Sequence, residues 1–166
     1  MNRYLPASFA DNALVVGGLA FATIAGAWIF QAIGYPPCDL CYEQRYAYYV
    51  GVPLAIVAFA LARGAAPRAI LMVLMAAFAL VFAANMALAI YHSGVEAKLW
   101  QGPTACTTTM SGPVNAADLL KQLETIKVVR CDEVNLRVFG LSLANWNIFI
   151  SAALAALAAR ACLWAK

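Results

Sequence analysis

Residues 69–91 read AILMVLMAAFALVFAANMALAIY, a run of 23 residues without a charged side chain. A helix needs about 20 mostly apolar residues to cross the hydrocarbon region of a bilayer. The whole chain shares this character, since 64% of its residues are hydrophobic and only 11% are charged, against about a quarter charged in soluble domains. The sequence therefore predicts an integral membrane protein.

Three further charge-free stretches have a length suited to crossing a bilayer. They are rich in Ala, Leu and Ile and lack the apolar–polar alternation of barrel strands, so helices are expected. We predict an all-α membrane protein, a four-transmembrane-helix bundle that forms a single domain over residues 1–166. The predicted spans are residues 13–35, 46–62, 69–91 and 138–159.

The first stretch has an alternative interpretation as a cleaved signal peptide, because Arg3 precedes it and Ala25-Gly26-Ala27 is typical of a cleavage site. Its apolar part is longer than the usual core of about 7 to 15 residues. A retained first helix is therefore favoured.

The basic residues predict the orientation of the bundle. Short segments that carry Lys and Arg stay in the cytoplasm, which predicts that both termini are inside and that the connections 36–45 and 92–137 are outside. The net charge of +3 includes no basic run that could follow a phosphate backbone, so nucleic acid is not an expected partner. The residues on the cytoplasmic side are Arg3, Arg63, Arg68, Arg160 and Lys166.

This topology divides the five cysteines. Cys38 and Cys41 lie in the short outer connection, and Cys106 and Cys131 lie in the long one. An even number of cysteines on an oxidising face predicts disulfides, with three pairings open. Cys162 is at the inner end of the last span and is expected to be an inert packing residue.

The Cys38–Cys41 motif is suited to thiol exchange, because its small ring restrains little chain. Cys41 is expected near the first turn of the second helix, where free N–H groups favour a thiolate. Arg45 is one turn further on the same face and can stabilise that thiolate. The carboxylate of Asp39 has the opposite effect, because a nearby negative charge raises the pKa of a thiol. Arg45 has an alternative interpretation as an anchor at the membrane interface. The CxxC motif could also be half of a zinc site, but Cys106 and Cys131 are too far apart in the sequence to form the second ligand pair of such a site.

The long outer loop predicts a short amphipathic helix after Asn115, with an apolar stripe that lies on the membrane surface. Cys106 lies in a small, polar segment and is expected to be accessible to another protein, although a structural bond between Cys106 and Cys131 remains an alternative. His92, the only histidine, is at the outer end of the third span, where it is either a polar anchor or a site residue. No metal site is predicted.

The segment 37–45, PCDLCYEQR, resembles the P-C-x-L-C-x-x-Q/E-R signature of the DsbB family of quinone-linked, disulfide-generating membrane proteins. The resemblance extends to the four spans, the cysteine pair in the second outer loop, and the segment GLSL at 140–143 with Trp146. It covers nearly the whole chain.

The resemblance implies a function for each residue. Cys38 and Cys41 would pass electrons to a quinone (ubiquinone or menaquinone), with Cys41 and Arg45 at the quinone ring and His92 nearby. Cys106 would be attacked by a reduced DsbA-like periplasmic protein, and Cys131 would be its disulfide partner. The protein would be a bacterial inner-membrane oxidoreductase whose active cysteines face the periplasm.

Three alternatives remain on the sequence alone. One is a specialised DsbB paralogue with a dedicated partner. Another is a quinone-linked enzyme of the vitamin K epoxide reductase type, which the order of the cysteines disfavours because its loop cysteines precede the CxxC. The third is a non-catalytic four-span scaffold with structural disulfides.

Overall fold

The structure is a computed structural model that describes residues 8–103, 130–134 and 136–164. Four helices in it are long and apolar enough to cross a membrane, which confirms the predicted four-helix membrane fold. The predicted amphipathic helix and Cys106 lie outside the described residues. The elements are α1 (Phe9–Ala32), α2 (Asp39–Arg63), α3 (Arg68–Glu96), β1 (Arg137–Val138), β2 (Leu141–Ser142) and α4 (Leu143–Trp164).

The first helix is shifted toward the N-terminus from the predicted span 13–35. Ser8 caps α1, because its Oγ accepts a hydrogen bond from the Asp11 N–H at 3.1 Å. Asp11, which ended the charge-free window, lies in the first turn, where a carboxylate is stabilised by the helix dipole. The helix ends before Gly34, whose φ of 106° is incompatible with a right-handed helix.

The second and third helices extend into the predicted outer connections. α2 starts at Asp39 and not at residue 46, so Cys41 and Arg45 belong to the helix and the connection 36–45 is shorter than expected. α3 continues to Glu96, beyond the predicted end at residue 91, and therefore includes His92. A window that excludes charge misses these turns because charged side chains are tolerated at helix ends.

The predicted start of the last span at residue 138 is wrong. Residues 137–142 form a hairpin in which Arg137 pairs with Ser142 and Val138 with Leu141. Its turn residues, Phe139 and Gly140, have φ values of 51° and 83°. Positive φ at both positions is typical of the two-residue turns that match the twist of a hairpin. α4 begins only after this turn, because the chain must first reverse direction there.

All four helices contribute to the core. Val16, Ala55, Phe82 and Leu154 come from α1, α2, α3 and α4 in turn, and each is at most 2% exposed. Large apolar side chains also cover the outside of the helices, as expected for surfaces that contact lipid. Examples are Leu14, Ile56, Leu80 and Phe149.

Gly51 allows α2 to approach α3 closely, and Gly51→Ala is expected to destabilise the bundle. A Cβ at this position would lie 2.5 Å from Cε2 of Phe82. The Phe82 ring is held between Tyr48 and Phe78, with centroid distances of 5.1 and 4.6 Å, so it has no space to move. Overpacking of this kind costs about 1–3 kcal/mol, which lowers the thermal unfolding midpoint in detergent.

The matched control for Gly51→Ala is Gly18→Ala, because a Cβ on Gly18 meets nothing within 4 Å. That variant should unfold at or slightly above the wild-type midpoint, since Ala favours a helix over Gly by about 1 kcal/mol. Equal midpoints for the two variants would contradict the close packing at Gly51.

Candidate functional site

Cys38 and Cys41 form a compact pair at the start of α2. Cys38 is the N-cap residue, and its Sγ accepts a hydrogen bond from the Cys41 N–H at 3.3 Å. The two sulfur atoms are 2.7 Å apart, and both thiols are free. Pro36 and Pro37 precede the cap and keep the helix from extending backwards. From the sequence, the free N–H groups at the start of α2 were expected to favour a thiolate at Cys41. In the structure, the N–H of Cys41 donates to the sulfur of Cys38, which caps the helix.

The local contacts of Cys38 act on its pKa in both directions. The hydrogen bond with Cys41 and burial raise the pKa of Cys38 well above its ordinary value. A contact with His92 acts in the opposite direction and lowers the pKa of Cys38, although its effect is smaller. Cys38 is 5% exposed, so the pair is protected from bulk water on this side.

Cys131 lies next to this pair. It is 1% exposed and packs in a small cluster with Cys38, Leu40 and Val95. Cys131 is disulfide-bonded, and its bonding partner lies outside the described residues. The structure thus brings one of the two predicted loop cysteines to the CxxC motif.

Arg45 is buried between α1 and α2. Its Nη1 donates to Oε1 of Gln31 at 2.6 Å, and its Nη2 donates to the carbonyl of Ala27 at 3.3 Å. Its guanidinium carbon lies 5.2 Å from the centre of the Tyr42 ring. Arg45 is 8% exposed, so α1 and α2 together fix a positive charge one helical turn below Cys41.

His92 faces the cysteines from α3. Its Nε2 lies 3.6 Å from Sγ of Cys38 and 3.8 Å from Oε1 of Glu96. Its Nδ1 lies 2.8 Å from Nε2 of Gln44. The ring is 2% exposed. The structure therefore places the His92 ring inside the bundle beside Cys38, and its role as a site residue stays a prediction.

A chain of buried polar side chains, which was not predicted from the sequence, continues from His92 into the bundle. Asn147 donates from Nδ2 to Oε1 of Gln44 at 2.5 Å, and its Oδ1 accepts a hydrogen bond from the hydroxyl of Tyr48. Asn85 donates to the hydroxyl of Ser151 at 3.0 Å. Polar residues inside a membrane span often mark a functional site, and that signal was present at Asn85 and Asn147.

A cavity of about 350 Å³ adjoins the cysteines, within the usual range for small-molecule sites. Cys38, Cys41, Arg45 and His92 all line it. Most of its wall is apolar, and α1 and α4 contribute many of the apolar residues. The residues from these helices include Ala27, Phe30, Trp146 and Ile150.

The ligand atoms of Cys38, Cys41 and His92 lie within 4.8 Å of one another, close enough to hold a metal ion together. The contact between Gln44 and His92 argues against this use. Gln44 presents its NH₂ group to Nδ1, so in a neutral ring the proton is on Nε2, the atom that faces the sulfurs. A metal ligand must offer a lone pair there instead.

Two residues named in the sequence analysis, Cys162 and Asp39, do not line the cavity. Cys162 is a free thiol whose Sγ contacts the carbonyl of Met72 at 3.5 Å, as expected for a packing residue. Asp39 is exposed in the first turn of α2. The tyrosine and tryptophan side chains that line the cavity are those of Tyr35, Tyr48 and Trp146.

The comparisons with known proteins give one result. The model of the family described as Disulfide bond formation protein DsbB matches residues 11–161 of this chain. No curated protein and no solved structure matches the chain. The matched range includes all four helices almost entirely and every cysteine named above except Cys162.

Proposed function

The chain belongs to the DsbB family, and on that premise we propose that it oxidises a DsbA-like periplasmic dithiol protein and passes the electrons to a membrane quinone. Membership makes the chain a multi-pass membrane oxidoreductase that forms disulfide bonds. The donor, the acceptor and the residues that serve each of them are our proposal.

One observation carries this proposal: the two CxxC sulfurs, 2.7 Å apart, line the same cavity as Arg45 and His92. Oxidation of a dithiol to a disulfide releases two electrons and two protons. A quinone accepts two electrons and two protons and becomes a quinol. The site therefore needs only a dithiol on one side and a quinone on the other to balance the reaction.

The residues around the cavity suit a quinone. Its ring has two carbonyl oxygens that need donors, and Arg45 supplies guanidinium N–H groups that are fixed by α1. Trp146 and Tyr35 provide aromatic surface for a planar ring. Apolar side chains of α1 and α4 provide a lining that suits an isoprenoid tail. We assign Cys41, Arg45 and His92 to this quinone site.

The position of Cys131 supports an electron route from the partner protein. We assign Cys106 as the cysteine that the reduced partner attacks and Cys131 as its disulfide mate. Cys131 belongs to the same buried cluster as Cys38, which favours attack by a Cys131 thiolate on the Cys38–Cys41 disulfide. Each exchange forms one S–S bond and breaks another, and the pair of electrons moves from the loop cysteines to the CxxC.

The orientation in the membrane follows from the distribution of charge. Arg63 and Arg68 flank the short connection between α2 and α3, and Arg160 lies at the same end of the bundle, in the last turns of α4. Basic residues in short segments favour the cytoplasm, so the CxxC and the cavity face the periplasm. Both termini are then cytoplasmic, and residues 1–166 form a single membrane domain.

Arg45→Ala is expected to raise the KM for quinone by about tenfold to a hundredfold, because a hydrogen bond from a charged donor contributes about 1.5–3 kcal/mol. Arg45→Lys should recover only part of the affinity, since a lysine lacks the planar fork. The measurement is the quinone dependence of the initial rate, with thermal unfolding to monitor folding.

The matched control for Arg45→Ala is Arg63→Ala, which removes an exposed arginine from the other end of the same helix. Its KM for quinone should equal that of the wild type. An unchanged KM in Arg45→Ala would refute the assignment of Arg45.

A further inference from the structure

Gln44, His92 and Asn147 form a buried hydrogen-bonded group beside the cysteines, and the proposed electron route gives Gln44 and Asn147 no part. Gln44, His92 and Asn147 are 6%, 2% and 8% exposed, and the Gln44 amide contacts both of the other two. Buried polar groups are expected to satisfy one another, so the hydrogen-bonding capacity of each group restricts its neighbour.

The orientation of the Gln44 amide follows from Asn147. The NH₂ group of Asn147 donates to Oε1 of Gln44, so the NH₂ group of Gln44 points the other way, toward His92. Asn147 is itself held in this orientation, because the hydroxyl groups of Tyr48 and Ser151 donate to its Oδ1. α2 and α4 thus present an N–H donor to the imidazole.

The imidazole has one tautomer that satisfies this contact. Since Gln44 donates to Nδ1 at 2.8 Å, Nδ1 must be the bare nitrogen, and the proton of the neutral ring is on Nε2. That N–H faces Sγ of Cys38 at 3.6 Å, within range of a hydrogen bond to sulfur. The carboxylate of Glu96, at 3.8 Å, is beyond a direct hydrogen bond.

We propose that Gln44 and Asn147 are positioning residues that hold His92 as the neutral Nε2–H tautomer, so that His92 donates a hydrogen bond to the Cys38 sulfur and does not act as a base. This inference rests on the proposed function for its role in the reaction. A sulfur that attacks or leaves during thiol–disulfide exchange carries negative charge, and a fixed N–H donor stabilises that charge. The effect of His92 on the pKa of Cys38, which it lowers, agrees in direction.

The tautomer of His92 can be measured directly by NMR, because the chain contains no other histidine. Nitrogen NMR of the full-length protein, labelled with ¹⁵N-histidine, distinguishes a bare ring nitrogen from a protonated one. At neutral pH we expect a bare Nδ1 and a protonated Nε2. A protonated Nδ1 in the wild type, in either a neutral or a charged ring, would overturn the proposal.

Gln44→Glu tests whether Gln44 is the cause of the Nε2–H tautomer of His92. A carboxylate can only accept, so it forces a proton onto Nδ1, and the Nδ1 signal should change to the protonated type. In Asn147→Leu the Gln44 amide can turn either way, because no NH₂ group holds its Oε1. We therefore expect a mixture of the two His92 tautomers in this variant. The control Asn12→Ala removes another buried amide, 1% exposed and far along the sequence from the site, and should leave both nitrogen signals unchanged. Unchanged signals in Gln44→Glu would refute the positioning role.

The effect on Cys38 is measured by its alkylation rate at fixed pH, by mass spectrometry of the peptide, in a Cys41→Ser background. Gln44→Leu should slow alkylation about tenfold, the size of one lost charge-assisted hydrogen bond, and Asn12→Ala should not slow it. An equal rate in Gln44→Leu would show that His92 does not stabilise the thiolate. The other charged groups around the cavity are the same in every variant: Arg45, Glu96, Arg130 and Glu133.

These measurements separate this inference from the proposed function. The NMR and alkylation experiments need neither quinone nor a partner protein. A protein with the expected tautomer that reduces no quinone would leave the positioning role intact and refute only the electron route.

Discussion

Cys41→Ser is expected to abolish quinone reduction, with a loss of at least about a thousandfold, as for the removal of a nucleophile from other active sites. A serine cannot form a disulfide with Cys38, so the pair can no longer release two electrons together. The hydrogen bond from the residue 41 N–H to Sγ of Cys38 belongs to the backbone and should persist. Folding should therefore be preserved, and the loss should appear in the rate alone.

The matched control is Cys162→Ser, which changes a free thiol at the other end of the bundle. Its rate of quinone reduction should equal that of the wild type, and its unfolding midpoint should be similar. Measurable quinol formation by Cys41→Ser at a rate near that of the wild type would exclude Cys41 from the electron route.

Cys106→Ser is expected to block oxidation of the protein partner, again by at least about a thousandfold, because the mixed disulfide with the partner cannot form. The Cys38–Cys41 pair is unaltered in this variant. Quinone reduction driven by a small dithiol such as dithiothreitol, which can reduce the CxxC directly, should therefore continue.

The double variant Cys106→Ser/Cys131→Ser serves as the control, because it removes the lone thiol that Cys131 would otherwise offer to Cys38. It should behave as Cys106→Ser does with the protein partner and retain the activity with dithiothreitol. Normal oxidation of the partner by Cys106→Ser would contradict the two-pair route and favour direct attack on the CxxC.

The sequence predicted those positions in the candidate site that depend on short spacing. Cys38, Cys41 and Arg45 lie within eight residues, and their helical spacing alone placed the arginine one turn from Cys41. The four spans followed from runs of apolar residues, because a bilayer requires helices of that length. These features depend on local chemistry that a linear sequence displays.

The contacts between helices were not predictable in the same way. Asn147 lies 103 positions from Gln44 in the sequence, and their hydrogen bond depends on how α4 packs against α2. The position of His92 depended on the extension of α3 to Glu96, past the end of the charge-free window. The hairpin at residues 137–142 depended on positive φ at Phe139, a conformation that a non-glycine residue rarely adopts.

Transfer of electrons from a protein dithiol to quinone by this chain is tested by the stoichiometry of the reaction. Purified protein would be mixed with ubiquinone or menaquinone and a limiting amount of a fully reduced thioredoxin-fold donor, and quinol would be followed by its absorbance. We expect one quinol for each donor disulfide formed. Oxidation of the donor without quinol, or no reaction with any such donor, would contradict this expectation.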